Sequence, residues 1–361
     1  MRTHAHIFFL IATLMLSVFF CGTGSLRADY NETHPEYTSL NSRTLGMGGA
    51  CAAWIDDGSS IFHNPAGLGR IRSLTISHSH SRNHFPGENE NLDQLDCDPT
   101  SFIVPLSGGL FGFPIGSAGT GWVLQGELGY DYRDRNTSDT PNERLFGMGP
   151  GDRREGAGFH LWPGGYFGFT HRMSEYLFTS GDDLPDNATW RRSGEGYSTG
   201  IQQTIISGLQ YGAVFEQVDY DYLPFRDGVK AERTKSMRRG WAVMPTAWLT
   251  IARDSENIDL KKWFSDESMD PSVINTVRDY FGAEIKLGQW FAVRFGSLDG
   301  HAASGWSYNI GPWRSDSAWV DGLMTEMVDD FPDPNPSNPL HQLDSSHDIT
   351  DYHSTGFNFG S

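Results

Sequence analysis

The sequence predicts an all-β protein, a transmembrane antiparallel β-barrel of about twelve to fourteen strands. Three observations carry that expectation. From residue 73 onward, apolar residues alternate with polar or small ones in segments of about ten residues, broken by glycine, proline, asparagine and aspartate. Glycine (42), phenylalanine (23), tyrosine (13) and tryptophan (11) are plentiful, whereas long leucine-rich helical runs are missing. Beyond the N-terminus, no apolar run approaches the ~20 residues that a membrane-spanning helix needs.

The chain of 361 residues opens with a weakly basic start and then IFFLIATLMLSVFF, fourteen apolar or small residues from Ile7 to Phe20. That run is too short to span a bilayer as a helix and reads as an export signal occupying residues 1–28. Cleavage after Ala28 competes with cleavage after Gly24, and a lipoprotein reading through Cys21 lacks the small residues that such a site requires. Removing residues 1–28 leaves Cys51 and Cys97 as the remaining cysteines, too few for a disulfide framework, though the two could pair in an oxidising compartment. The formal net charge of −18 argues against nucleic acid as a partner.

Strands are expected over residues 73–80, 101–113, 121–132, 164–171, 197–207, 209–222, 241–254, 281–287, 290–298, 303–310, 317–324 and 353–359. In 209–222, Leu209, Tyr211, Ala213 and Phe215 share one face. In 290–298, Phe291, Val293 and Phe295 oppose Ala292, Arg294 and Gly296. One helix is expected at residues 271–280, where Asp270 stands as an N-cap and Pro271 at the first position.

A soluble sandwich also alternates, so the solvent has to be chosen on other grounds. Aromatics cluster near segment ends, at Tyr130 and Tyr132, Tyr220 and Tyr222, Trp290 and Phe291, and Trp313 and Trp319, as an interfacial girdle requires. The second face is rich in glycine, serine, glutamine and arginine, which suits a wet lumen. Long acidic connections are expected at 133–158 and 329–351. A crossing strand with its share of turn and loop takes roughly 22–26 residues, which yields the strand number above. Only a closed barrel leaves no sheet edge in hydrocarbon.

The stretch RTLGMGGACAAWIDDGSSIFHNPAGLGRI, residues 43–71, is neither a good helix nor a good strand. It resembles the N-terminal signature of FadL-like and PorV-like outer-membrane proteins. Arg43, Gly46, Met47, Gly48, Gly49, Ala50, Asp56, Asp57, Ser59, Asn64, Pro65, Ala66, Gly67 and Leu68 fall on that pattern. Residues 242–259 and 281–311 resemble late barrel strands of the PorV-like branch, and residues 131–239 carry no resemblance. Trp54 and Ile55 replace small residues of the pattern, His63 stands where an aromatic is usual, and Phe359 lies two residues before the end.

The resemblance implies a bacterial outer-membrane barrel of about fourteen strands: residues 29–72 form a plug, or hatch, inside a barrel made by residues 73–361. In FadL-like members such a barrel passes hydrophobic, long-chain fatty-acid-like molecules. In PorV-like members it handles secreted cargo proteins. The expected partners are therefore membrane lipid and either a hydrophobic small molecule in the lumen or a cargo or secretion-system protein. Catalysis, cofactors and bound metal are not expected.

The plug and gating candidates are Arg43, Gly46, Gly48, Gly49, Asp56, Asp57, Asn64, Pro65, Ala66 and Gly67. The glycines could cradle a phosphate, but no strand precedes them and no Gly-Lys-Ser/Thr follows, so close backbone packing is the better reading. Asp56 and Asp57 lack a nucleophile or histidine at a defensible spacing for acid–base work. As carboxylates in a confined lumen they require hydrogen-bond donors, either plug backbone or inward arginines such as Arg294. Asn64 is expected to form a turn, with Pro65 fixing φ. His78 and His80 share a strand face but have no acid or thiol ligand beside them. The sequons at Asn31, Asn136 and Asn187 carry no glycan in a bacterial outer-membrane protein.

Overall fold

A computed structural model describes residues 41–84, 96–108, 113–125, 145–180, 189–226, 229–264, 271–320 and 351–359. The export signal, Tyr130 and Tyr132, residues 329–350 of the acidic connection, the three sequons and the side chains of Cys97 and Phe359 lie outside the described residues.

Among the described residues, two short helices, Ser42–Gly46 and Ser60–His63, and a 3-10 helix, Pro65–Arg70, come first, and the remaining regular elements are strands. The strands are β1 (Thr75–His84), β2 (Asp96–Gly108), β3 (Phe113–Gln125), β4 (Leu145–Trp162), β5 (Gly165–Ser180), β6 (Thr189–Ile206), β7 (Leu209–Arg226), β8 (Val229–Thr246), β9 (Leu249–Phe264), β10 (Ser272–Leu287), β11 (Phe291–Leu298), β12 (His301–Ile310), β13 (Trp313–Val320) and β14 (Asp351–Phe359). Each pairs antiparallel with its neighbours in chain order, and β14 pairs with β1 with Ile76 opposite Phe359. The result is one antiparallel sheet curled into a barrel.

Burial runs the opposite way to a soluble sheet. Ile201, Trp241, Phe295 and Trp306 are exposed, while Arg172, Arg294 and Glu284 on the other face are buried. Alternation along β9, with Asp254, Glu256, Ile258 and Leu260 buried and Arg253, Ser255, Asn257 and Asp259 exposed, follows from the two-residue period of the pleat. The tight turns between β4 and β5, β6 and β7, β8 and β9, β10 and β11, and β12 and β13 all lie at one end of the barrel. Exposed Trp162, Trp248, Trp290 and Trp313 mark that end as an aromatic girdle. Gly208, with φ 80°, shows why glycine punctuates these turns.

The wall is uneven in length. Strands β4 to β10 run 16 or 18 residues, well beyond the ~10 that a tilted strand needs to cross hydrocarbon. Strands β11 and β13 have 8 residues and β12 has 10.

Three expectations are corrected. Residues 271–280 are not a helix: Val273, Asn275, Val277 and Asp279 point outward from β10, and the pairing of Ser272 to Ile285 with β9 outweighs the local N-cap and proline signals. Residues 133–158 are not all loop, because β4 takes up Leu145–Trp162. Tyr220 and Tyr222 do not belong to the girdle; both are buried on the inner face with Val218.

Candidate functional site

Residues 41–71 pack against the inner faces of strands on both sides of the barrel, and only Asp56 among residues 41–62 is exposed. The segment starts where the Asn41 side chain accepts from the amides of Arg43 and Thr44, at 2.8 and 3.4 Å, capping the helix Ser42–Gly46. Gly48 and Gly49 then adopt φ of 57° and 78°, a turn that few other residues tolerate. Asn64 caps the 3-10 helix, its Oδ1 accepting from Ala66 N at 3.0 Å. Its amide nitrogen donates to the carbonyls of Ala52 at 2.6 Å and Ile201 at 3.2 Å. Asn64 thus joins both halves of the segment to β6, while Pro65 occupies the first position of the helix.

The wall meets this segment with glycine. A Cβ on Gly168 would collide with Pro65 and Ala66, on Gly200 with the Asn64 side chain, and on Gly212 with the Ala52 carbonyl. On the far side, one on Gly282 would strike Met47, and one on Gly296 both Met47 and Gly48. Within the segment, a Cβ on Gly67 would strike the Ile55 carbonyl, and one on Gly46 would stand 3.2 Å from Gly305 Cα. Ala66 is fully buried beside them. Backbone therefore lies on backbone around the ring, and its position is set by shape.

Charge completes the attachment. Arg43 Nη1 donates to Asp56 Oδ1 and Asp57 Oδ2, each at 3.1 Å, its Nε stands 3.5 Å from Glu284, and its guanidinium lies 4.4 Å over the Trp54 ring. Asp57 also accepts from Arg314 Nη2 at 2.7 Å and from the Ser59 amide at 3.1 Å. The expected partner Arg294 instead serves the wall itself, donating to Glu284 at 2.8 Å and forming an ion pair with Asp316 at 3.0 Å. The two aspartates differ: the Asp56 side chain is 42% exposed and that of Asp57 5%. Burial would raise the Asp57 carboxyl, but Arg314 and Arg43 outweigh it and hold the group well below the usual carboxylate range.

Two further attachments involve residues that the sequence did not single out. Asp254 of β9 accepts from the amides of Cys51 and Ala52, at 2.8 and 2.9 Å, and from Arg238 Nε at 2.9 Å; Arg238 also bonds the Gly49 carbonyl. On the other wall, Arg154 donates to the Phe62 carbonyl at 2.9 Å and pairs with Asp152 and Glu216, while Arg172 bonds Glu216 at 2.6 Å. The available signal was arginine, aspartate or glutamate at inward positions of strands such as Asp152 and Arg154 in β4.

His63 is half-buried, with Nε2 3.2 Å from Thr44 Oγ1. Burial, then Arg238 and Arg154, push its imidazole down to about 3. Burial pushes the Cys51 thiol up to about 12, against the pull of Arg238. His78 lies on the exposed face with Nδ1 2.9 Å from Thr100 Oγ1. Among the described residues no cluster of histidine, cysteine or acid side chains could hold a metal ion. The buried charges are matched in fixed pairs, an arrangement suited to holding a segment in place.

The fold these features define is a FadL-type barrel. Among solved structures, the chain is similar to the Ralstonia pickettii toluene transporter TbuX, with 13% identity, TM-score 0.56, and coverage of 90% of this chain and 98% of that one. It is also similar to the Pseudomonas putida toluene transporter TodX, at 11% identity, TM-score 0.52 and coverage of 90% and 98%. A Pseudomonas aeruginosa FadL homologue matches at 11% identity, TM-score 0.52 and coverage of 89% and 98%. No family model matches the chain, and no curated protein matches it in sequence.

Proposed function

We propose that the chain is an exported bacterial outer-membrane barrel that passes hydrophobic small molecules, with residues 1–28 as its leader and residues 29–72 as a plug in a closed, fourteen-stranded wall. The observation that carries this reading is the shared fold with toluene transporters over about nine-tenths of this chain and nearly all of theirs. The apolar outer face and the tryptophan girdle support a lipid setting. Arg43, Gly46, Gly48, Gly49, Asp56, Asp57, Asn64, Pro65, Ala66 and Gly67 are the residues that seat the plug.

An apolar solute leaving water gains ~25 cal/mol for each Å² of apolar surface it buries, so no chemical step is needed to load it. The plug bars bulk water and ions, while a solute that displaces part of its packing can pass. Toluene uptake into vesicles containing the purified protein tests the reading. Uptake faster than in protein-free vesicles, and altered in an Arg314→Ala protein, is expected. Uptake no faster than in protein-free vesicles refutes it.

A further inference from the structure

The outer wall of β8 and β9 carries two arginines that the passage of solute does not use. Arg239 is exposed, with Ala213 of β7 opposite it on one side and Ser255 of β9 on the other. Among the described residues it has no ion-pair or hydrogen-bond partner. Towards β7 its neighbours on the same face are aromatic or apolar: Trp241 two residues along β8, with Tyr211 and Phe215 diagonal to it on β7; towards β9 they are Ser255, Arg253 and Asn257. Tyr211 and Trp241 rest against each other at 4.7 Å between ring centroids. Arg253, diagonal to Arg239, stands opposite both Trp241 and Phe281, and reaches Asp279 at only 3.8 Å with both side chains mostly exposed.

A guanidinium among aromatic side chains on a lipid-facing wall is costly in hydrocarbon and at home where the bilayer turns polar. Arg239 lies eight positions along β8 from the β8–β9 turn, close to the ~10 residues that span the hydrocarbon. That places it at the boundary opposite the Trp248 girdle, where lipid phosphates lie. Of the other outward cations nearby, Arg233 pairs with Asp219 and Lys261 lies over the Trp263 ring, while Lys235, four residues along β8, stands between Gln217 and Asp259 and away from the aromatic pair.

We propose that Arg239 and Arg253 form a site for the phosphate of an anionic outer-leaflet lipid headgroup, with Tyr211 and Trp241 bracketing its glycosyl or glycerol portion. A planar guanidinium presents paired donors that match phosphate geometry, and two of them on adjacent strands fit a phosphomonoester better than a zwitterionic head. The proposal rests on the reading that this wall meets lipid, and not on what the lumen carries.

Native mass spectrometry of the detergent-purified protein, titrated with diphosphoryl lipid A and separately with phosphatidylcholine, tests it. Retention of lipid A over phosphatidylcholine is expected, falling about fivefold in Arg239→Gln and again in the double variant with Arg253→Gln, with Lys261→Gln as an unchanged control. The same variants should take up toluene at the wild-type rate, so lipid binding and solute passage fail separately. Equal retention in wild type and double variant, or an equal loss in Lys261→Gln, overturns the proposal. So does full displacement of lipid A by inorganic phosphate, which would make the pair a free-anion site.

Discussion

Asp56 and Asp57 are adjacent in sequence, yet they should respond very differently to replacement. Asp57→Ala removes a buried carboxylate that accepts from Arg314 at 2.7 Å, from Arg43 at 3.1 Å and from the Ser59 amide at 3.1 Å. Breaking a buried pair typically costs ~3–5 kcal/mol because the surviving charge loses its partner. Here Arg314 keeps Asp316 at 2.7 Å and Arg43 keeps Asp56 and Glu284, so the lower end, about 3 kcal/mol, applies. Asp56→Ala loses only partly exposed contacts, at 3.1 Å to Arg43 and 3.9 Å to Arg70, worth ~0.2–1 kcal/mol.

The buried Cys51 thiol reports the difference. In a Cys97→Ser background, a water-soluble maleimide reaches Cys51 only when the segment leaves its seat, so the labelling rate follows the opening equilibrium. A loss of about 3 kcal/mol speeds labelling about 100-fold in Asp57→Ala, against less than about fivefold in Asp56→Ala. Heat-modifiable mobility on gels confirms that each barrel is folded. Labelling of folded Asp57→Ala within threefold of the parent, or equal acceleration in both variants, refutes the assignment of Asp57 as the buried anchor.

Gly212→Val places side-chain atoms against the Ala52 carbonyl, and should unseat the segment by ~1–3 kcal/mol, read as faster Cys51 labelling with the barrel intact. His63 is held neutral down to about 3 in the seated state, whereas a released histidine takes up a proton near its ordinary value of ~6.5. The seated state's advantage is therefore complete above about pH 6.5 and shrinks as pH falls towards 3. Planar-bilayer conductance should rise between pH 7 and pH 5, and the rise should be absent in His63→Gln. Glu216→Gln takes from Arg154 and Arg172 the carboxylate they share beside Asp152, and the midpoint of heat-induced mobility change should fall, consistent with a loss of about 3 kcal/mol. Acidification below about pH 4 should release the segment further, because a released Asp57 takes up a proton that the seated carboxylate, held low by Arg314 and Arg43, does not, and Cys51 exposed in this way should be labelled faster after a pulse of acid than without one.

What the sequence reveals depends on which side of each strand carries the signal. Leu209 to Phe215 and Phe291 to Phe295 are legible because their outward apolar residues recur every second position. The start of β8, VKAERTKSMRRG, and much of β4, GPGDRREGAG, are not, because charged, polar or glycine residues interrupt both faces there. Those stretches lie in the part of the long strands far from the tight turns or face the N-terminal segment, so no single apolar surface imposes a pattern on them. Asn64 was legible as a turn-former, since its side chain caps the helix that Pro65 opens. The identity of the signature stretch's partners was not, because Glu284, Arg314, Asp254 and Glu216 come from strands over 140 residues away whose meeting depends on register. Capping signals at 270–271 misled because local preference amounts to a few tenths of a kcal/mol per residue, less than sixteen residues of ladder supply.

The pairing of Ile76 with Phe359 has a consequence for the order of assembly. Residues 72–74 alone link the buried Ile71 to Thr75 at the start of β1, a tether of roughly 10 Å at full extension. The ring cannot seal until the last strand reaches the first, and by then the segment ahead of β1 is tied within one tether length of the seam. It has to enter while the wall is still an open sheet. Correcting an error in its placement after that means unpairing two strands of the ring or drawing the segment out through an end of the barrel, which makes the leading thirty residues of the described chain a checkpoint for the closing of everything that follows.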